Sequence, residues 1–313
     1  MNRFSFILHR LGQMVIVLFG ITVMVFFMVH LTPGDPARIY LGTRATDSAV
    51  ANLHHQWGLD RPLPAQYELF MGRLVRGDLG TSLLYQSSDA RLILDRLPST
   101  LWLLGYSVVL SLLIAVPLAA TSATKKDGLR DHAIRLGSVI SLGMPSFWVG
   151  IMLILLLGVD IHAFPVGGYG NGVIGHLWSM FLPGLTIAIA VSPLLLRSLR
   201  ASMLNVLDAD FVATARSKGI PRRRILVSHV LRNAIIPMIT VLGLNVSFLI
   251  GGTVVVEKVF ALPGLGNLML QAILARDFPV VQAVTLVFAV MVVLVNLMTD
   301  VVYSLLDPRV SFD

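Results

Sequence analysis

Six stretches of about twenty consecutive, predominantly apolar residues dominate this chain: 11–31, 99–121, 134–158, 178–197, 234–256 and 280–302. A helix of about that length crosses the hydrocarbon core of a bilayer. Lipid offers no partner for backbone N–H and C=O groups, so spanning segments must close their hydrogen bonds internally. The expected fold is therefore an all-α membrane protein with six transmembrane helices. Composition agrees, because only 13% of the 313 residues are charged, against about 25% in soluble domains. The first stretch has a short basic start (Arg3, His9, Arg10), as a signal peptide would. It outruns a signal-peptide core, however, and enters "TPGDP" with no small-residue cleavage site, so it reads as an uncleaved span.

Six spans place both termini on one side. With the N-terminus cytoplasmic, the inner segments hold Arg3 and Arg10, then Lys125, Lys126, Arg130 and Arg135, then eight basic residues from Arg197 to Arg232, and finally Arg309. The two short outer loops hold only Lys258 and Arg276. Short loops set orientation, so both termini are expected in the cytoplasm. The net charge of +7 is then a topological signature, and no nucleic-acid partner is expected.

The reading divides the chain into an N-terminus with first span (1–31), an external helical subdomain (32–98), a five-span core (99–305) with a cytoplasmic loop at 198–233, and a tail (306–313). In the external segment, "WGLDRPLPAQYELFMGRLVRGDLG" places Leu63, Tyr67, Phe70 and Leu74 at helical spacing, with Gly-Asp as a stop. No internal repeat of the kind found in secondary transporters is evident. Pro117, Pro145 and Pro193 are expected to kink their helices.

Several chemistries are missing. Cysteine is absent, and neither G-x-x-x-x-G-K-[ST] nor H-E-x-x-H occurs. One G-x-G-x-x-G match, Gly170, Gly172 and Gly175, lies in a short outer loop without a preceding strand and reads as chance. His54 and His55 are neighbours and do not face one metal together. No catalytic group, metal site or cofactor is expected on this chain.

The informative segment is "DADFVATARSKGIPRRRILVSHVLRNAIIP", polar and basic between two spans. Asp208 and Asp210 suit a helix N-terminus. Phe211 and Ala215 share a face. Arg216 and Lys218 suit the C-terminal end, Gly219 the left-handed position beyond it, and Pro221 the start of a second helix. A polybasic segment attracted to membrane lipid needs none of this punctuation, so a protein partner is favoured.

The segment resembles the EAA loop of ABC importer permeases, in the form used by the dipeptide/oligopeptide/nickel family. Ala213, Thr214 and Ala215 fall on the E-A-A positions, followed by three residues and Gly219. The resemblance runs through "TPGDPAR", "GLDRPLPAQY", "GDLGTS", "RLPSTLWL", "GMPSFWVG", "LPGLT", "EKVFALPGLGNLMLQAILARDFPVVQA" and "DVVYSLLDPRV", and is similar to the B-type permease of a B/C pair. It implies a type I importer fold and a coupling helix around Asp210–Gly219 (Asp210, Phe211, Ala213, Thr214, Ala215, Arg216, Gly219). The implied partners are a second, C-type permease, two ATP-binding subunits that supply ATP and magnesium, and an extracytoplasmic solute-binding protein. Peptide is the implied cargo, with nickel, a metal chelate or glutathione as alternatives on the same architecture.

A stand-alone secondary transporter is the reading from another class. It would need polar groups within spans, for which Asn296 and Asp300 are the candidates. Gly243, Ser247 and Gly251 recur every fourth residue in the fifth span. Small residues so spaced allow close backbone approach, either within the chain or as a subunit seam or pathway wall.

Overall fold

The computed structural model describes residues 3–31, 35–41 and 46–306, so the tail from 307 lies outside the described residues. Those residues are helical throughout, apart from loops and one isolated antiparallel bridge, Thr81 with Ser88. The elements are α1 (Arg3–Leu31), α2 (Pro36–Leu41), α3 (Asp47–Trp57), α4 (Leu63–Val75), α5 (Asp89–Thr124), α6 (Leu129–Gly143), α7 (Ser146–Leu153), α8 (Gly172–Ser179), α9 (Phe181–Leu207), α10 (Asp210–Ser217), α11 (Arg222–Arg224), α12 (Arg232–Val259), α13 (Leu265–Ala275) and α14 (Phe278–Leu306). Wider π-type turns extend α7 over Ile154–Asp160 and join α11 to α12 over Ile225–Leu231.

Among the described residues, four helices are long and apolar enough to cross a membrane: α5, α9, the continuous rod Arg222–Val259, and α14 over Phe278–Tyr303. α6 and the helix after Pro145 are long and apolar enough only taken together, and they meet at 104°. The first expected span, α1, offers a shorter apolar stretch, Gly12–Met28.

Two compact units result. One comprises Met1–Pro98 with Gly264–Val293, the other Ser99–Pro263 with Leu294–Asp313. In the first, α4 lies along α1. Tyr67 shares a 2.8 Å hydrogen bond with Thr22, and both Tyr67 and Phe70 pack on Phe26 at ring separations of 5.4 and 6.0 Å. Leu63 stays exposed, outside that contact. Beyond Val75, Gly77 takes φ +77° and the Asp78 amide returns to the Arg73 carbonyl, so the Gly-Asp pair ends the helix. The amide of Gln282 on α14 is bonded to the Val25 carbonyl at 3.1 Å.

In the second unit α9 is the central element. Leu182, Ile187, Val191, Leu195, Leu199 and Met203 are all buried, and α12, α6 and α7 pack around them. The proline expectation divides. Pro145 opens α7 where the chain bends, and Met144 before it is extended, as the residue preceding proline should be. Pro117 and Pro193 instead sit inside uninterrupted helices. Proline at 193 has no N–H to bind the Ile189 carbonyl. The Ser141 hydroxyl of α6 donates to that carbonyl at 2.6 Å.

A candidate coupling loop and the polar clusters around it

α10 forms where the sequence punctuation indicates, though its start differs from expectation. Asp208 is the C-cap of α9, its N–H bonded to Leu204, and does not cap α10. Ala209 is the N-cap through its extended backbone, and Asp210 in the first turn supplies the charge that complements the helix dipole. The hydroxyls of Thr214 and Ser217 donate back to the Asp210 and Ala213 carbonyls. At the other end Gly219 has φ +72°, the Gly219 amide reaches Arg216, and the Ile220 amide reaches Ala215 at 3.2 Å. That five-residue return is the paired closure that needs a left-handed residue. Pro221 at φ −62° then opens α11.

The faces also need correction. Ala215 is 9% exposed and points inward with fully buried Val212. Phe211 is 46% exposed, and Ala213, Thr214 and Arg216 are exposed as well. Phe211 and Ala215 thus lie on opposite sides of the boundary between outer and inner faces. The spacing alone misplaces Ala215, because a helix of eight residues, about two turns, has an inner stripe of only two residues, Val212 and Ala215.

The small residues of α12 resolve into two groups. A Cβ added at Gly243 would lie 2.8 Å from the Thr299 Cβ of α14, with Thr299 Oγ1 and Cγ2 nearer still. Ser247 donates to the Gly243 carbonyl at 3.1 Å and lies 3.2 Å from Asn296 Oδ1. Gly243, Ser247 and Asn296 therefore form a seam within the chain. A Cβ added at Gly251 would meet no other element within 4 Å, and the residue faces outward. Asp300 is half-buried one turn after Asn296.

Three polar clusters escaped the sequence reading. Asp131 is fully buried and accepts from Arg200 Nε at 2.9 Å and Nη2 at 2.6 Å, from the Ser122 hydroxyl, and from the Asp127 amide at 3.1 Å. This knot ties α5, α6 and α9. Buried Glu257 accepts from Thr100 at 2.7 Å. In the first unit, Asp277 Oδ2 accepts from the Ser82 hydroxyl at 2.5 Å and the Leu84 amide at 3.0 Å. Its other oxygen, and both oxygens of wholly buried Asp89, have no hydrogen-bond partner.

α5 is about 54 Å long at 1.5 Å per residue, so its first turns, with Asp89, stand outside a hydrocarbon core of about 30 Å. Burial, then the charges of Asp277 and Asp78, push the Asp89 carboxyl up to about 7. The folded protein therefore holds a proton there that an unfolded chain releases near pH 4. Stability supplied by the neutral acid is complete below that pH and is lost as pH rises through about 7. Asp89→Asn should raise the melting temperature at pH 8 by several degrees and converge on the parent at pH 5. Equal melting at pH 8 would contradict the neutral carboxyl.

The remaining candidates are structural. His54 and His55 bond separately to Asp35 and Asp60, at 2.7 and 2.8 Å. Among the described residues no group of three ligating side chains could hold a metal. Gly170 abuts the Gly175 backbone and Gly172 has φ +68°, so the G-x-G-x-x-G match is a matter of loop packing.

Several apolar helices long enough to span a membrane, a buried central helix and a short charged helix between two of them suit a membrane transport subunit of the permease class. Family models agree. "Binding-protein-dependent transport system inner membrane component" matches residues 115–312, and the corresponding N-terminal model matches 3–104. The chain belongs to this family of binding-protein-dependent inner-membrane transport components. It is 36% identical over 314 residues to the oligopeptide transport system permease protein AppB of Bacillus subtilis (strain 168), covering 98% of this chain and 99% of the relative. It is 35% identical over 309 residues to the glutathione transport system permease protein GsiC of Salmonella choleraesuis (strain SC-B67), with 98% and 99% covered. Its fold is similar to a chain of the inward-facing MetNI methionine ABC transporter, with a TM-score of 0.58 at 15% identity over 69% of this chain and 96% of the other.

Proposed function

We propose that this chain is one of two permeases in an ABC importer for di- and oligopeptides, with α10 as its coupling helix. Full-length identity of 36% to an oligopeptide permease carries the cargo assignment. The coupling role is supported by the geometry of α10. A helix charge-complemented by Asp210 at its start, closed at Gly219 and keyed inward by Val212 and Ala215 transmits a displacement, whereas a flexible basic segment absorbs it. Its outer face, with Phe211 as the aromatic anchor, would seat in a groove on an ATP-binding subunit. ATP and magnesium belong to two such partners, and a solute-binding protein would deliver cargo on the outside. Both termini are assigned to the cytoplasm from the short-loop charges. The outward-facing glycines of α12, Gly251 and Gly252, are assigned to the contact with the second permease.

Glutathione is the second reading, favoured by the 35% identity to a permease named for it. It is itself a small peptide, so the architecture is unchanged. Affinity purification of the complex from its native membrane tests both readings, followed by screening of the co-purified binding protein against di-, tri- and pentapeptides and glutathione. A chain that emerges alone or as a homo-oligomer would refute the importer reading.

Phe211→Glu places a charge at the centre of the assigned docking face, where buried aromatics contribute about 2 kcal/mol or more. Co-purification of the ATP-binding subunits should fall at least roughly tenfold, with membrane insertion retained. Unaltered co-purification would remove Phe211 from the interface.

A further inference from the structure

Between the ends of α5 and α9 and the segment that follows α10 lies a concavity of about 610 Å³. Its floor includes Leu204 and Leu207 from the end of α9 and Leu226 from the π-type turns, and its rim carries Lys126, Arg216 and Arg222. The Arg222 guanidinium is anchored on the Thr124 carbonyl at 3.2 Å. Lys126 and Arg216 form no ion pair among the described residues. Asp208 is the one acid in the lining, which leaves an excess of two positive charges. The neighbouring carboxylate, Asp131, is already saturated by Arg200, Ser122 and the Asp127 amide.

Three features of this cavity select its ligand. It lies where two spans end, since Thr124 closes α5 and Leu207 closes α9, which is the depth of lipid headgroups. Its volume falls in the range of about 300–1,000 Å³ typical of small-ligand sites. Cations crown an apolar floor, a match for a phosphodiester joined to hydrocarbon and a poor one for a fully hydrated anion.

We propose that this cavity is a specific site for the headgroup of an anionic phospholipid. The phosphodiester is held between Lys126 and Arg222, and Arg216 joins it from the last turn of α10. The bound lipid thereby ties the coupling helix to the ends of α5 and α9. Generic attraction of a basic loop to an anionic surface would treat all exposed basic residues alike. The cavity does not, because Arg223 and Arg224 are equally exposed but line no part of it.

The test uses the full-length chain with its co-purified partners, delipidated in mild detergent and titrated with phosphatidylglycerol or phosphatidylcholine of matched acyl chains. Retained lipid is read by native mass spectrometry. Phosphatidylglycerol should be retained with roughly tenfold preference or more, and millimolar inorganic phosphate should not displace it. Lys126→Gln with Arg222→Gln should reduce the preference to near parity, while Arg223→Gln with Arg224→Gln should leave it intact. The site is overturned if the parent shows no preference, or if both double variants lose it equally, which marks a diffuse basic surface. It is also overturned as a lipid site if inorganic phosphate displaces the lipid, which marks a free-anion site. The parent preference and the phosphate competition decide the matter even if the first double variant fails to fold.

Discussion

Arg200→Met should destabilise the unit built around α9 by about 3–5 kcal/mol, the usual consequence of stranding one partner of a buried ion pair. Asp131 is fully buried and the Arg200 side chain is only 16% exposed, so neither charge has water to fall back on. The guanidinium supplies two of the contacts on Asp131 through its fork, and a lysine would not reproduce that geometry. Arg135 lies 3.7 Å away on the same helix as Asp131 and is half-exposed, too distant and too solvated to take over. Combining Arg200→Met with Asp131→Asn removes the stranded charge, and more than half of the loss should return. Thermal unfolding of the purified variants in lipid nanodiscs checks both steps. A single variant that melts with the parent would show that the knot carries no net stability.

Gly243→Val should be nearly as severe. The new side chain would occupy the space of the Thr299 Cβ, Cγ2 and Oγ1, so the two helices must separate. Overpacking alone costs about 1–3 kcal/mol. Here separation also breaks the contact between Ser247 and Asn296 one turn along. Thr299→Gly in the same chain vacates that volume and should restore most of the melting temperature and of transport. Failure of this rescue, with Gly251→Val as damaging as Gly243→Val, would relocate the critical glycine to the outward face. The contrast is informative because the two glycines are indistinguishable by spacing.

That contrast illustrates what the sequence makes legible. Apolar length announces spans, and short-range chemistry announces α10, because Gly219, Pro221 and the first-turn Asp210 act on residues next to them. The family resemblance is legible for the same reason, since its motifs are contiguous. Partners distant along the chain are not legible. Asp131 and Arg200 are 69 residues apart, and Ser82 and Asp277 are 195 apart. Each carries an ordinary loop or helix-end signature until the fold joins them. The face of α10 fails differently. Helical periodicity relates Phe211 to Ala215 but does not say where the inner face is centred, and Val212 decides that by being fully buried. Pro145 and Pro193 share a sequence signature and part company by position, since Pro145 stands at the N-cap of α7 behind an extended Met144, whereas Pro193 lies inside α9, where the Ser141 hydroxyl takes up the carbonyl it frees.

That hydroxyl changes the mechanical character of the contact between α6 and α9. Two helices interlocked by side-chain volume separate only when the packing of both is undone. Here a proline has opened a permanent gap in the hydrogen-bond ladder of one helix, and a single serine on the other fills it. Withdrawing Ser141 leaves every remaining backbone bond of both helices in place and costs about 1–3 kcal/mol for the exposed carbonyl. A water molecule bonded to that carbonyl would offset much of that. That one contact is exchangeable, because a water can replace the serine without disturbing either helix, whereas the Asp131–Arg200 pair joining the same two helices has no such substitute.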